Sequence, residues 1–117
     1  MRDDPNPPAI GWTVDDAAMA DMRRWLVERG FVVVRDEYDP DSFGNQEVIL
    51  TRPVAIRLVR DRGEWRTELM GSDGQWAGIL QWRDALRGKG SFLATAADQA
   101  DLVREMLDEV ERGVSAT

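Results

Sequence analysis

The chain has 117 residues, a formal net charge of −7, and neither His nor Cys. Zero Cys excludes disulfide stapling and thiol chemistry, and zero His removes the commonest general base. With 43% hydrophobic residues and five Trp there is apolar material for one core in one domain, expected over residues 13–113.

Residues 1–12 hold Pro5, Pro7 and Pro8 beside Asp3 and Asp4. Proline lacks the donor that a helix or ladder needs, so a flexible or extended lead-in is expected, with Trp12 placed to staple the entry to the first helix. This stretch has no basic region followed by an apolar one, and no run in the chain approaches the roughly 20 residues that span a bilayer. The expectation is a cytoplasmic protein without a membrane partner.

Thr13 and Asp16 have capping-box spacing, and Asp15 and Asp16 lie where the helix dipole favours carboxylates. Ala18, Met22, Trp25 and Leu26 follow at helical spacing, and Gly30 stops the helix. The β-branched run at 31–35 predicts a short buried strand. It leads into a turn at 36–41 that carries Asp36, Glu37, Asp39 and Asp41. A second strand is expected at 47–51. Pro53 marks a turn or an edge position beside it. The third strand, 54–60, places Val54, Ile56 and Leu58 on one face and Arg57 on the other. Asp61-Arg62-Gly63 signals a hairpin with a bulged three-residue loop. The fourth strand, 64–70, alternates Trp65, Thr67 and Leu69 against Glu64, Arg66 and Glu68, the pattern of a sheet with one wet face.

Residues 71–74 read as a turn. Residues 76–87 then read as a short helix, with Ile79, Trp82 and Leu86 three and four apart. Thr95 caps a last helix, again with an acid three residues on at Asp98; Leu102, Met106 and Val110 form its stripe, Val103 and Leu107 flank it, and Gly113 ends it. The tail, 114–117, is expected to fray. Links between the strands are too short for crossover helices. The predicted fold is therefore α+β: a four-stranded antiparallel meander, with an N-terminal helix and two C-terminal helices packed on one face.

Little chemistry is visible. The acids at 36–41 lack the alternating spacing of a calcium loop, so no metal site is predicted there. No glycosidase-like carboxylate pair is singled out. Gly88-Lys89-Gly90-Ser91 lacks the spacing and the preceding strand of a phosphate loop. No catalytic residue and no cofactor is predicted.

Arg57, Arg66 and Arg52 are expected to form a patch with Glu47, Glu64 and Glu68, most simply as cross-strand ion pairs on a solvated face. No exposed aromatic series accompanies them, and the acid excess opposes binding to phosphate, so nucleic acid is not an expected partner. Trp25, Trp65 and Trp82 fit core positions. Trp76, after a turn, suits a core or a binding contact.

Charge is unevenly spread: −5 over residues 1–41, +2 over 42–90 and −4 over 91–117. Acidic flanks of this kind suit steering towards a basic partner. From Phe43 to Trp82, FGN before a strand, VRDRGEW at a hairpin and a Trp-rich helix start together resemble small bacterial immunity proteins encoded beside polymorphic toxins. The resemblance implies a non-enzymatic α+β protein that binds and blocks a cognate toxin. Asp36, Glu37, Asp39, Asp41 and Trp76 are the residues expected to meet it. Two other readings stand beside this one: a module that forms a homodimer or adaptor through a sheet edge near Pro53, and a carboxylate-dependent enzyme.

Overall fold

The computed structural model describes residues 13–41, 44–52, 54–71, 74–88 and 95–112. Chain order gives helix α1 (Val14–Glu28), strands β1 (Val32–Asp39), β2 (Asn45–Thr51), β3 (Ala55–Asp61), β4 (Glu64–Met70) and β5 (Trp76–Gly78), then helices α2 (Ile79–Arg87) and α3 (Ala96–Glu111). The strands form one antiparallel sheet in the order β1-β2-β3-β4-β5. The class and the meander agree with the sequence, but the sheet has five strands rather than four.

Both predicted capping boxes form. The Thr13 hydroxyl accepts from the Asp16 N–H at 3.1 Å, and the Asp16 carboxylate accepts from the Thr13 N–H at 2.8 Å. Thr95 and Asp98 repeat the exchange at 3.1 Å each way. These bonds satisfy donors that the first helical turn leaves without partners.

On the inner sheet face, β3 and β4 follow the predicted alternation. Val48 and Leu50 of β2, Ile56 and Leu58 of β3 and Leu69 of β4 are all buried. They meet Met19, Met22 and Leu26 of α1 and Val103, Met106, Leu107 and Val110 of α3 in one core. Burying a side chain of this size stabilises by about 1.5–3 kcal/mol. Trp82 of α2 is 1% exposed, and its indole N–H donates to the Leu69 carbonyl at 3.2 Å. Trp25 sits between α1 and α3 under two guanidiniums, Arg29 at 4.1 Å and Arg104 at 5.6 Å.

Four elements differ from expectation. Residues 76–78 are strand, not helix. The Gly74 N–H closes a turn onto the Gly71 carbonyl at 3.1 Å, and the returning chain sets Trp76 opposite Met70. Gly78 is extended, at φ −64° and ψ 153°, so the helix begins only at Ile79. β1 runs on through the acids to Asp39 and is exposed along most of its length, because it pairs with β2 alone at the sheet margin. Only Phe31, just before it, is buried as predicted.

The hairpin after β3 has a two-residue loop. Asp61 pairs with Glu64, and Arg62 (φ 53°) and Gly63 (φ 84°) both take positive φ, as a type I′ turn requires. The edge expected near Pro53 is absent, since β2 and β3 are each paired on both sides; the edges are β1 and β5. Pro53 itself lies outside the described residues, as do the lead-in with Trp12, the 89–91 segment, Gly113 and the tail.

Candidate functional site

The helices cover one sheet face and leave the other open. Strand register fixes what the open face carries. Arg35, Ile49, Arg57 and Glu68 stand side by side across four strands, and Glu37, Glu47, Val59 and Arg66 form the next row. Ion pairs stitch the two rows together. Arg35 binds Glu37 at 2.8 Å and Glu47 at 2.6 Å. Arg57 binds Glu68 at 2.8 Å and approaches Glu47 at 3.9 Å. The Arg57 guanidinium also lies 4.4 Å from the centre of the Trp76 ring.

The predicted ladder of Arg57 with Glu47 and Glu68 is thus present. Arg52 is not part of it. It turns under the sheet to pair with Glu111 of α3 and to donate to the Arg29 carbonyl, with the Phe31 ring 5.0 Å away. The Glu111 bond raises the Arg52 guanidinium above its ordinary value, keeping it charged. Arg66 makes no ion pair among the described residues.

The acids expected to act together as one loop are divided by the pleat. Asp36 is on the helix side, opposite Val48, where it accepts from Arg23 at 2.9 Å and from Gln46 at 3.1 Å. Glu37 and Asp39 are on the open face, opposite Glu47 and Asn45. Asp41 follows the strand, and its N–H donates to Asp39 Oδ1 at 3.0 Å. The strand continues through these residues because each pairs with β2, which outweighs the low β propensity of Asp and Glu. Trp76, half-buried, is on the open face opposite Met70, at the other end from Asp39.

At the hairpin end of this face, Asp61 and Glu64 stand directly opposite each other, and neither makes an ion pair among the described residues. Like charges so placed repel. A hollow of about 640 Å³ opens beside them, bounded by Asp39, Glu47, Val59, Asp61 and Arg66 among others.

One cluster was not anticipated. Asp16, 5% exposed, accepts at Oδ1 from the Trp65 indole N–H at 2.8 Å and from Arg60 Nε at 3.0 Å. Arg60 also donates to the Gly44 carbonyl at 2.9 Å. Burial alone would raise the Asp16 carboxyl. Hydrogen bonds from Trp65 and Thr13 and the charge of Arg60 outweigh it, so the group titrates below the ordinary carboxylate range. Alternation held the signal for this cluster, because Arg60 shares the parity of Ile56 and Leu58 and must face inward. The capping role of Asp16 concealed its second task.

Among the described residues, no three acidic side chains converge in a way that could hold a metal ion, and no helix is long and apolar enough to cross a membrane. Comparison with protein-family models, curated proteins and solved structures finds no match to this chain.

Proposed function

We propose that this protein is a non-enzymatic binding module of the immunity type, which neutralises a basic toxin by docking through the open sheet face. The observation that carries the reading is the carboxylate pair Asp61–Glu64, which makes no ion pair among the described residues and lies on a face that the helices do not cover. With Asp39 and Glu37 on the same face, it makes one end of the sheet a landing zone for Lys and Arg. At the other end Trp76 and Met70 supply apolar contact area.

Self-association through a sheet edge has less in its favour. β1 is the long edge, but it carries a register irregularity between Val33 and Arg35 and charged residues at 35–37, features that hinder strand addition.

Co-expression with a toxin domain encoded beside this chain tests the proposal. Growth should be restored, and the purified pair should associate more slowly as salt rises. Failure to protect against, and to bind, every such neighbour removes the immunity reading.

A further inference from the structure

The rows of side chains on the open face change character from one end of β4 to the other. At the Met70 end, Thr51, Ala55, Met70 and Trp76 stand opposite one another and carry no charge. Next come Arg57 and Glu68, joined to each other at 2.8 Å. Arg66 follows, opposite Val59, and makes no ion pair among the described residues. At the far end Asp61 faces Glu64. β4 is seven residues long, so about 20 Å separates the uncharged end from the acidic one.

A sheet face is covered by a helix or by a second sheet. A second sheet would lie over every strand. It would bury the ion pairs of Arg35 with Glu37 and Glu47 on β1 and β2, at a desolvation cost that their attraction does not repay. A helix is about 10 Å across and strands lie about 4.8 Å apart, so one helix spans β3 and β4 and leaves the Arg35 pairs in water. Ala55, the smallest side chain of the uncharged row, leaves space beside Met70 for a bulky apolar residue. A second copy of this chain is a poor occupant, because a net charge of −7 repels itself.

We infer that the occupant of this face is a single amphipathic helix of the partner protein, laid along β3 and β4. It is apolar over Met70 and Trp76, carries a carboxylate at Arg66, and brings lysines or arginines to Asp61 and Glu64. The inference rests on the reading that a basic protein docks here, and adds the shape and charge order of what that protein presents. At about 1.5 Å per residue, the span needs roughly 13 residues of helix. Positions i, i+4, i+7, i+11 and i+14 share one helix face. The first two are apolar, the third acidic and the last two basic.

The test adds alanine-based peptides of about five helical turns to the full chain at low salt, followed by amide and indole chemical shifts. The first peptide has leucines in its opening turns, a glutamate in the middle and lysines in its closing turns. The second has the same composition with leucines and lysines interleaved. Saturable shifts at Ala55, Glu64, Met70 and Trp76 are expected with the first, and about tenfold weaker binding with the second. Arg66→Ala, at an exposed position, should weaken the first about threefold and leave an analogue with glutamine in place of glutamate unchanged. Equal affinity for the two peptides, shifts confined to the helix side of the sheet, or no saturation up to about 2 mM overturns the inference. So do open-face shifts that depend on the concentration of this chain alone, which would assign the face to a second copy. Binding of the first peptide by a protein that recognises no neighbouring toxin would remove the immunity reading and leave the helix standing. Neutralisation of a toxin that lays a loop or a sheet on this face would do the reverse.

Discussion

The indole N–H of Trp65 donates to Asp16 Oδ1 at 2.8 Å and so ties β4 to the first turn of α1, 49 residues apart in the chain. The same oxygen accepts from Arg60 at 3.0 Å, while the other carboxylate oxygen caps the helix through the Thr13 N–H. One buried carboxylate therefore joins a helix start to two strands. Asp16→Ala removes the acceptor shared by Arg60 Nε and the indole N–H and should cost about 3 kcal/mol. Trp65→Phe keeps most of the packing and removes one donor, so about 1–2 kcal/mol is expected. Urea unfolding of both variants checks the order; a smaller loss for Asp16→Ala than for Trp65→Phe would contradict it.

Acid should expose the same group. The Asp16 carboxyl titrates below its unfolded-state value, so the folded state binds its proton less readily than the unfolded chain. Its stabilisation is fully present above about pH 4 and is lost as pH falls through the folded value. Asp16→Asn should be less stable than the wild type at pH 7 and flatter between about pH 4 and pH 2. Equal slopes for the two proteins over that range would assign the acid sensitivity to other carboxylates.

Trp82 tests the packing of α2 on the sheet. It is 1% exposed and donates to the Leu69 carbonyl. Trp82→Ala should cost about 3–5 kcal/mol. Trp82→Phe keeps a ring but leaves that carbonyl short of a donor, for about 1–3 kcal/mol together with the smaller volume. Thermal unfolding followed in the near ultraviolet would rank them.

Gly63 holds the hairpin through its backbone. Its φ is +84°, and a Cβ there would meet nothing within 4 Å, so Gly63→Ala isolates conformational strain from steric contact. About 1 kcal/mol of destabilisation is expected, without a change in the hydrogen-bonded register of Asp61 and Glu64. Denaturant midpoints give the first quantity and cross-strand amide contacts the second.

Asp61→Lys separates stability from binding. It replaces a like-charge pair by an opposite one across the hairpin, so stability should rise by a few tenths of a kcal/mol. Association with a cationic partner should slow and lose salt dependence. A variant that is both more stable and equally fast to bind would acquit this end of the sheet.

Legibility in the sequence varied with how many neighbours fix a residue. Both capping boxes were readable because four adjacent residues suffice to make one. Ile56, Leu58 and Leu69 were readable because period-two alternation assigns a face without knowledge of the partner strand. The exposure of β1 was not, since a β-branched run is compatible with burial until the sheet order shows that α1 and α3 rest on the strands beyond it. Nor was β5: Trp76-Ala77-Gly78 merges into the helical spacing of Ile79 and Trp82, and only the turn at Gly71 and Gly74 directs it back along β4. On the candidate site, the ladder of Arg57, Glu47 and Glu68 could be read, whereas the division of Asp36 from Glu37 and Asp39 required the register with β2.

Strand order along the sheet is the order along the chain, with each strand beside its predecessor. Every pairing therefore closes a short loop, and contact order across the sheet stays low. Such a topology favours fast assembly from local pairings, and the meeting of α1 with α3 is its most distant contact along the chain among the described residues.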